Sequence, residues 1–469
     1  MQHMKNTILA LACACTAAGA LFAAPVELLE PSDGAVVPTL TDPQKEYLAM
    51  PRDERRGKFA NASYRRNEMG LPAETVGGVK REAYWPKTVR LAWKSEDGVE
   101  YSVKVVEKKS GRTVFDEKVK GGEAYVDNLE IASGYEWSVA SGDDAAKRTF
   151  RTEDKAPRLV RYPGVPNVRD LGGRIGLGGR RVRQGLVFRS AGLNSNASDT
   201  YYTREELERM GRTEELGKSV EEARARLAQL EAWQKEPATF DRRDGEYVDW
   251  TSRHPNDPPA KFLSSRIHRA RELIKKGGEA KVKKGRMAGR SRVEGERGEY
   301  ICSRFGIKSD IDLRSDGECY GMTGSPLGPA VTWFHYSSSA YGGMQSSKGR
   351  DAFRNVFRVF LDKDNYPIDF HCIAGQDRTG AVAFILNALL GVSEEELSLD
   401  WETTGFWNRS SSFNHEKNYD HLVSGFRKKY PAETINESVE KYVVDLGFTK
   451  EEIDSFREFM LEPASSVQQ

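Results

Sequence analysis

The sequence lacks long apolar runs after its N-terminus. No later stretch approaches the roughly 20 apolar residues that a membrane-spanning helix requires. The exception runs from Thr7 to Phe22, follows Lys5 and precedes the small residues Ala23 and Ala24, which is typical of a signal peptide. We therefore expect residues 1–24 to be cleaved. The mature protein is then expected to be exported, periplasmic or secreted, without a transmembrane segment.

Cysteine is also scarce, with five in 469 residues. Cys13 and Cys15 lie in the predicted signal peptide, and the residues before them match a lipoprotein attachment site poorly. Three cysteines remain, an odd number, so at least one thiol stays free outside the reducing cytosol. Cys302 and Cys319 are as consistent with two buried thiols as with a disulfide. A free Cys372 fits a catalytic nucleophile.

Aromatic residues do not alternate with the cations of the most basic segment, residues 261–292. A nucleic-acid platform stacks bases on aromatic rings, so we do not expect nucleic acid as a partner. Two interpretations stay open: a solvated basic face, and a docking surface that attracts anionic substrates through its long-range field. The acidic residues of the segment are Glu272 and Glu279, and its twelve basic residues are Lys261, Arg266, Arg269, Arg271, Lys275, Lys276, Lys281, Lys283, Lys284, Arg286, Arg290 and Arg292.

The most informative stretch runs from His371 to Gly380, because it places a cysteine and an arginine at the two ends of a short loop. Residues 366–370 before the cysteine predict a buried strand, and the apolar residues 381–390 predict a helix that ends at Gly391. At such a turn, backbone N–H groups and the positive end of the helix dipole converge. They stabilise a bound oxyanion and a thiolate alike, so we expect the cysteine to be ionised at neutral pH.

Each residue type in this phosphate loop (residues 372–378) suits phosphoryl transfer. The pKa of free cysteine is about 8.5 and falls to roughly 3.5–7.5 beside a helix N-terminus and cations, so Cys372 can attack phosphorus as a thiolate. Arg378 offers a planar fork for two phosphoryl oxygens. Thr379 can donate its hydroxyl to the departing sulfur. The predicted phosphate-binding residues are Ile373, Ala374, Gly375, Gln376, Asp377 and Arg378, and we expect neither a cofactor nor a metal ion.

The loop resembles the signature of the cysteine-dependent protein tyrosine phosphatase superfamily, which is His-Cys, five residues, Arg, and then Ser or Thr. Asp377, directly before Arg378, is similar to the bacterial and fungal branch of tyrosine and dual-specificity phosphatases. Three upstream blocks match that branch in order, at residues 167–173, 185–190, and 311–315 with Glu318. The resemblance covers roughly residues 157–195 and 296–462. It implies an α/β fold whose tyrosine-phosphatase-type central sheet is flanked by helices.

The resemblance also implies catalytic roles. The branch carries its general acid inside the loop, which here is Asp377, and Asp312 is the second candidate. The alternative for Asp377 is a structural role in holding Arg378. Gln376 stands where the branch has a lysine associated with phosphoinositide recognition, and this difference counts against lipid substrates. The residues implied to support the loop by hydrogen bonds are His371, Asp170, Arg169 and Arg314.

Before these blocks, alternating apolar residues predict short antiparallel strands. Leu129, Gly134 and Tyr135 resemble the tyrosine corner of a fibronectin type III or immunoglobulin-like fold. We expect a β-sandwich over about residues 80–155, after a lead-in segment over residues 25–79 that wraps the sandwich or is partly disordered. Such a module spaces or docks a catalytic domain, and carbohydrate binding is the alternative. The alternating residues are Val89, Leu91, Trp93, Tyr101, Val103, Val105, Tyr135, Trp137 and Val139.

The predicted phosphatase domain, residues 157–465, is interrupted by a charged insertion at about residues 195–295. Interleaved acidic and basic residues over 204–236 predict a solvated helical hairpin. The candidates for its buried face are Leu207, Leu216, Leu227, Leu230 and Trp233.

The sequence therefore predicts an exported phosphatase that hydrolyses phosphomonoesters through a phosphocysteine intermediate. A phosphorylated protein or peptide is the expected partner, with phosphotyrosine as the leading substrate class. One alternative is a phosphoinositide or inositol-phosphate phosphatase on the same loop. The other is a noncatalytic phosphate-binding or adhesin-like protein, against which the intact Cys372, Asp377 and Arg378 argue. The sequence does not indicate the oligomeric state.

Overall fold

The structure, a computed structural model, describes residues 26–60, 75–76, 79–80, 84–212, 219–275, 283–407 and 415–463. The predicted signal peptide lies outside these residues. The protein is mixed α/β, as predicted. Its strands are β1 (Leu28–Glu30), β2 (Ala35–Val37), β3 (Thr75–Val76), β4 (Val79–Lys80), β5 (Val89–Trp93), β6 (Glu100–Glu107), β7 (Thr113–Lys120), β8 (Glu123–Val126), β9 (Gly134–Ser141), β10 (Asp144–Thr152), β11 (Arg169–Asp170), β12 (Val187–Ser190), β13 (Ser198–Tyr201), β14 (Lys283–Met287), β15 (Ser309–Asp312), β16 (Thr332–His335) and β17 (Ile368–His371).

The α-helices of the described residues vary from one and a half turns to almost five. Among these residues, no helix is long and apolar enough to cross a membrane. The helices are α1 (Asp42–Ala49), α2 (Arg52–Ala60), α3 (Arg204–Arg209), α4 (Val220–Lys235), α5 (Gly245–Arg253), α6 (Pro259–Lys275), α7 (Glu296–Phe305), α8 (Ser347–Leu361), α9 (Asp377–Leu389), α10 (Glu394–Glu402), α11 (His415–Lys429), α12 (Ile435–Asp445) and α13 (Lys450–Met460).

The chain divides into two compact units. The larger unit comprises Met1–Gly192, Val293–Leu313 and Leu327–Gln469, and the smaller comprises Leu193–Arg292 and Arg314–Pro326. Each unit is described separately below.

Two sheets in the N-terminal part of the larger unit share one apolar core. Their strand orders are β1-β5-β8 and β2-β10-β9-β6-β7. Neighbouring strands are antiparallel except β2 and β10, which run parallel. The nine alternating apolar residues singled out in the sequence are all buried here, because successive side chains of a strand point to opposite faces. The Tyr135 hydroxyl accepts the Glu130 N–H at 2.8 Å.

The segment predicted as a lead-in differs from that expectation. β1 and β2 are strands of the two sheets themselves, so the sheets begin near residue 28 rather than residue 80. Three-residue strands are too short to produce a readable alternation. α1 and α2 pack against α10 instead of wrapping the sheets: Tyr47 donates to Glu402 Oε2 at 3.1 Å, and Arg55 Nε donates to the same oxygen at 2.8 Å.

The central sheet of the larger unit has the order β11-β12-β17-β15-β16. The last four strands are mutually parallel, and β11 is antiparallel to β12. α9 follows β17 and is buried on all sides from Thr379 to Leu389, as expected for a helix that is apolar all round. Because the carboxyl ends of parallel strands meet at one edge of a sheet, the phosphate loop lies at that edge.

The smaller unit contains α3 to α6 and the antiparallel pair β13–β14. α4 begins with a capping box formed by Ser219 and Glu222. Leu230 and Trp233 of α4 and Phe262 of α6 lie in a shared apolar cluster. Of the predicted buried positions, Leu207, Leu230 and Trp233 are buried, Leu227 packs beside the cluster, and Leu216 lies outside the described residues. Residues 283–287 form a strand, where the sequence indicated only positive charge.

Candidate active site

The phosphate loop joins β17 to α9. β17 is bonded on its two sides by β12 and β15, which makes it a rigid support. α9 begins at Asp377, so its N-terminal N–H groups and the positive end of its dipole lie at the loop. Gly375 has φ +64°, and a Cβ there would lie 2.4 Å from the Ser190 carbonyl oxygen. Both the dihedral and the close approach require glycine.

Cys372 is buried, with 2% of its surface exposed. Burial by itself would raise the pKa of the thiol. The Thr379 side chain, the charge of Arg378 and the Thr379 backbone N–H outweigh burial, so the pKa of Cys372 is lowered, although the charge of Asp377 acts in the opposite direction. Since the thiolate is the nucleophilic form of cysteine, these contacts increase the reactive fraction at neutral pH.

The ends of neighbouring strands also contact the loop. Arg378 Nη1 lies 3.5 Å from the carbonyl oxygen of Leu313, just after β15. The Gly192 N–H, just after β12, donates to the Ile373 carbonyl at 3.0 Å. Ile373, the residue after Cys372 in the loop, is exposed to solvent. The loop is therefore held from the sheet while one of its faces remains open.

Two polar side chains hold the loop carbonyl groups from behind. Asn167 Nδ2 donates to the carbonyl oxygens of Ala374 at 2.8 Å and Gly375 at 3.1 Å. Arg189 Nη2 donates to the Gly375 carbonyl at 2.7 Å. Carbonyl oxygens fixed on this side do not repel an anion on the other side, where the N–H groups can converge. Both residues fall in blocks that resemble the phosphatase branch, but their roles were not identified from the sequence.

Asp400 on α10 anchors this support. Its carboxylate accepts hydrogen bonds from Arg169 Nε, at 3.0 Å, and from Arg189 Nη1. It also lies 3.3 Å from Arg174 Nη2. Burial would raise the pKa of Asp400. The charges of the three arginines outweigh this effect, so the pKa of Asp400 is strongly lowered. Burial, together with the charge of Arg189, lowers the pKa of Arg169 to about 9. Arg169 also donates to Asn167 Oδ1 at 2.6 Å, which connects Asp400 to the loop.

The other predicted supports have different contacts. Asp170 accepts Arg158 Nη1 at 2.7 Å, and Arg158 also donates to the carbonyl groups of Asn128 and Leu129 beside the N-terminal sheets. Arg314 donates to Asn194 Oδ1 at 2.6 Å within the smaller unit. The implied tie from Arg314 to the phosphate loop therefore stays a prediction, and Asp170 connects the sheet to the N-terminal part instead.

His371 lies among buried carboxylates and directly precedes Cys372 in the chain. Its Nδ1 is 3.2 Å from the Cys372 carbonyl oxygen, and its Nε2 is 3.0 Å from Asp310 Oδ1. Asp312 is fully buried opposite His371 in the sheet register, with Oδ1 3.9 Å from His371 Nδ1. Burial and the charge of Asp310 raise the pKa of neighbouring Asp369 to about 7, although His371 acts in the opposite direction. Asp312 thus faces the interior histidine, a position that disfavours it as the proton donor to a leaving group.

Asp377, the first candidate for the acid, is half-buried in the first turn of α9. Its Oδ1 accepts hydrogen bonds from the Tyr341 hydroxyl and from Gln376 Nε2, the latter at 3.0 Å. Gln376 is buried and directed to this carboxylate. The Tyr341 ring packs against Trp401, with ring centroids 6.1 Å apart. No pattern in the sequence indicated Tyr341, because it lies 36 positions from Asp377.

The basic segment of the smaller unit is largely paired internally. Lys284 lies 2.7 Å from Glu206, Lys283 lies 3.0 Å from Asp199, and Arg271 lies 2.7 Å from Glu231. Lys261 and Arg266 also face carboxylates, while Lys276 and Lys281 lie outside the described residues. Local pairing of this kind weakens a long-range positive field, which favours the solvated face over a docking surface.

In the described part of the chain, the remaining cysteines, Cys302 and Cys319, are not joined in a disulfide, and Cys302 donates to the Leu327 carbonyl at 3.8 Å. Burial raises the pKa of Cys302, in contrast to Cys372. Within the described part of the chain, no group of three His, Cys, Asp or Glu side chains has the arrangement to hold a metal ion.

Comparison with known proteins gives a match to a protein family. A sequence profile described as the tyrosine phosphatase family matches residues 160–211 and 274–462, slightly more than half of the chain. The matched residues include the phosphate loop and all five strands of the central sheet, together with β13 and β14. The gap in the match, residues 212–273, is shorter than the insertion expected from the sequence. No curated protein matches the chain significantly.

Proposed function

Because this chain belongs to the tyrosine phosphatase family, we propose that it hydrolyses phosphotyrosine in proteins or peptides through a phosphocysteine intermediate. The observation that carries this proposal is the state of Cys372, a buried thiol of lowered pKa at the N-terminus of α9 beside Arg378 and Thr379. A thiolate in a cradle of N–H groups is suited to attack phosphorus and unsuited to a purely structural role.

Binding comes first in the proposed mechanism. The phosphoryl dianion is held by the loop N–H groups and by the fork of Arg378, which fits two equatorial oxygens. Asn167 and Arg189 keep the carbonyl groups of the loop on its other side. The site is organised before the substrate arrives, so little reorganisation is needed in the transition state.

The chemical steps follow from these positions. The Cys372 thiolate forms a sulfur–phosphorus bond while the bond from phosphorus to the ester oxygen breaks. The electron pair stays on that oxygen, which takes a proton from Asp377. A water molecule then attacks the phosphocysteine, Asp377 accepts a proton from it, and the sulfur leaves with its electron pair. The Thr379 hydroxyl stabilises the returning thiolate.

The contacts of Gln376 support phosphotyrosine over phosphoinositide. The branch that this loop resembles has a lysine at this position, whereas the Gln376 amide is buried and bonded to Asp377. It presents no positive charge to a multiply phosphorylated ring. A noncatalytic phosphate-binding role gives no reason for a thiol of lowered pKa next to a carboxyl group.

The proposal extends to the N-terminal part and to location. The two N-terminal sheets resemble a fibronectin type III-like sandwich that docks on the catalytic core, supported by the buried pair of Arg158 and Asp170. Export is proposed from the composition of residues 1–24. N-terminal sequencing of the secreted protein tests cleavage near Ala24.

The function is tested with a hydrolysis panel, run with and without a chelator. Phosphotyrosine peptide should be cleaved faster than phosphoserine peptide or phosphoinositide, and the chelator should have no effect. Cys372→Ser should abolish turnover but retain phosphate binding, since the N–H cradle and Arg378 remain. Cys302→Ser, which alters a free thiol of raised pKa, is the matched control and should keep full activity. Turnover by Cys372→Ser within tenfold of the parent would rule out the mechanism.

A further inference from the structure

Tyr341 holds an unusual backbone conformation next to the proposed acid. Its φ is +51°, in the left-handed region that a residue with a bulky side chain rarely adopts. Such strain persists only where the surrounding structure enforces it, and it is concentrated at functional sites. Asn167, which holds the phosphate loop, also has a positive φ of +58°, a conformation that asparagine adopts more readily than tyrosine.

The short 3₁₀ helix Tyr341–Gln345 is enforced by the core. Met344 is fully buried, and the Tyr442 hydroxyl of α12 donates to its carbonyl oxygen at 2.8 Å. Gly349 of α8 packs so closely that a Cβ there would lie 2.1 Å from the Gly343 carbonyl oxygen. The backbone that carries Tyr341 is therefore fixed by contacts that do not involve the substrate.

The side chain of Tyr341 is fixed as well. Its ring packs against Trp401, and Trp401 also covers Gly380 in the first turns of α9, where a Cβ would lie 3.0 Å from the indole ring. Its hydroxyl bonds to Asp377 and also to the Asn418 side chain. The pKa of Tyr341 is raised well above 10. Burial is the largest cause, followed by the hydrogen bond to Asp377, the charge of Asp377 and the charge of Cys372. The phenol thus stays protonated and serves as a hydrogen-bond donor.

The hydrogen bonds that Asp377 receives from the described side chains go to a single oxygen, Oδ1, from Tyr341 and Gln376. This geometry leaves Oδ2 to carry the proton. As the proton passes to the ester oxygen, negative charge develops on the carboxylate, and two donors already directed at Oδ1 stabilise it. The same two bonds prevent the side chain from rotating away from the phosphate loop.

We propose that Tyr341 is a positioning residue for the general acid: together with the Gln376 amide it holds Oδ1 of Asp377, so that Oδ2 delivers the proton to the leaving group. This inference rests on the proposed function. It also assigns a use to Gln376 in place of the branch's lysine, because an amide can donate to Asp377 without adding a charge to the pocket.

The test compares two aryl esters, phenyl phosphate with a poor leaving group and 4-nitrophenyl phosphate with a good one. A proton donor matters most for the poor leaving group. Tyr341→Phe should lower kcat for phenyl phosphate about ten- to hundredfold, the effect of losing one hydrogen bond to a charged group. It should change kcat for 4-nitrophenyl phosphate less than threefold and should flatten the basic limb of the pH profile. Tyr366→Phe, which removes a buried hydroxyl bonded to the Phe360 carbonyl, is the control and should affect neither ester.

A double-mutant cycle separates positioning from direct action. In the Asp377→Asn background, Tyr341→Phe should have little further effect, because the residue acts through Asp377. Additive losses would show that Tyr341 acts on the substrate itself and would overturn the proposal. Equal losses on both esters would also overturn it. Gln376→Met removes the second donor and should show the same leaving-group dependence, which tests the arrangement even if Tyr341→Phe does not fold.

The outcomes also separate this inference from the proposed function. If the parent protein hydrolyses neither ester and no phosphotyrosine peptide, the proposed function is wrong and the positioning role is wrong with it. If the parent is active, Cys372→Ser is inactive, and Tyr341→Phe slows neither ester selectively, only the positioning role is refuted.

Discussion

Asp400 is placed to hold the phosphate loop without touching it, and Asp400→Asn isolates that role. The substitution keeps the shape of the side chain but removes a buried negative charge that faces Arg169, Arg174 and Arg189. All three arginines are buried. The variant would leave their positive charges with less compensation and would loosen the two side chains, Arg189 and Asn167, that bond the loop carbonyl groups.

The magnitude follows from the burial. Removing one partner of a buried ion pair costs about 3–5 kcal/mol, because the remaining charge stays desolvated. That is a large share of a typical stability of about 5–15 kcal/mol, so the variant should fold but unfold at lower urea concentration. Displacement of the loop by about 1 Å should lower kcat roughly a hundredfold. The matched control, Glu458→Gln, breaks the exposed pair with Arg180 and should leave the urea midpoint nearly unchanged, because solvent screens exposed ion pairs.

The pH dependence gives a further check. The pKa of Asp400 is lowered in the folded state, mainly by the arginines against the effect of burial, so its stabilisation is fully present above the unfolded pKa of about 3.9. The stability difference between parent and variant should therefore be constant from pH 5 to 8 and should shrink as the pH falls below about 4. If the free energies of unfolding of the parent and Asp400→Asn differ by less than about 1 kcal/mol at pH 7, the charges of the arginines are compensated without Asp400 and the reasoning is refuted.

Two further predictions concern the sheet edge. Burial raises the pKa of Asp369 to about 7, so the stability that its protonated form contributes is present below about pH 4 and is lost as the pH rises through 7. The free energy of unfolding of Asp369→Asn in urea should therefore match the parent's at pH 4 and exceed it by a few kcal/mol at pH 8. A pH-independent difference would contradict this. Gly375→Ala should abolish turnover through its clash with Ser190, whereas Gly178→Ala, at φ +63° in open space, should cost only about 1–2 kcal/mol and leave kcat unchanged. Equal activity of both variants would refute the steric argument.

Local sequence was sufficient for features whose cause is local. Val89, Leu91 and Trp93 are apolar residues at every second position. This spacing predicts a strand, because side chains two positions apart in a strand point to the same face. The loop between Cys372 and Arg378 predicts an anion site, because its residues are consecutive and must share one turn. The charged stretch from 204 to 236 predicts a solvated helix. The strand Lys283–Met287, in contrast, was not indicated by the composition of that segment.

Features made by distant contacts were not predictable in this way. β1 and β2 have three residues each, and they are strands only because β5 and β10 supply partners. Asn167 lies more than 200 positions from the carbonyl groups it holds. An asparagine has no local property that distinguishes this use from a turn.

The sequence by itself determined the mixed α/β class, the nucleophile candidate and the loop that surrounds it, because these depend on residue type and short-range order along the chain. Only the tertiary structure decided which carboxylate the Tyr341 hydroxyl contacts, that Asp312 faces His371, and that Asp400 faces three arginines. The physical reason is that charge and hydrogen bonding act between neighbours in space. Packing of α9, α10 and the 3₁₀ helix Tyr341–Gln345 around one sheet edge makes those neighbours from residues far apart in the chain.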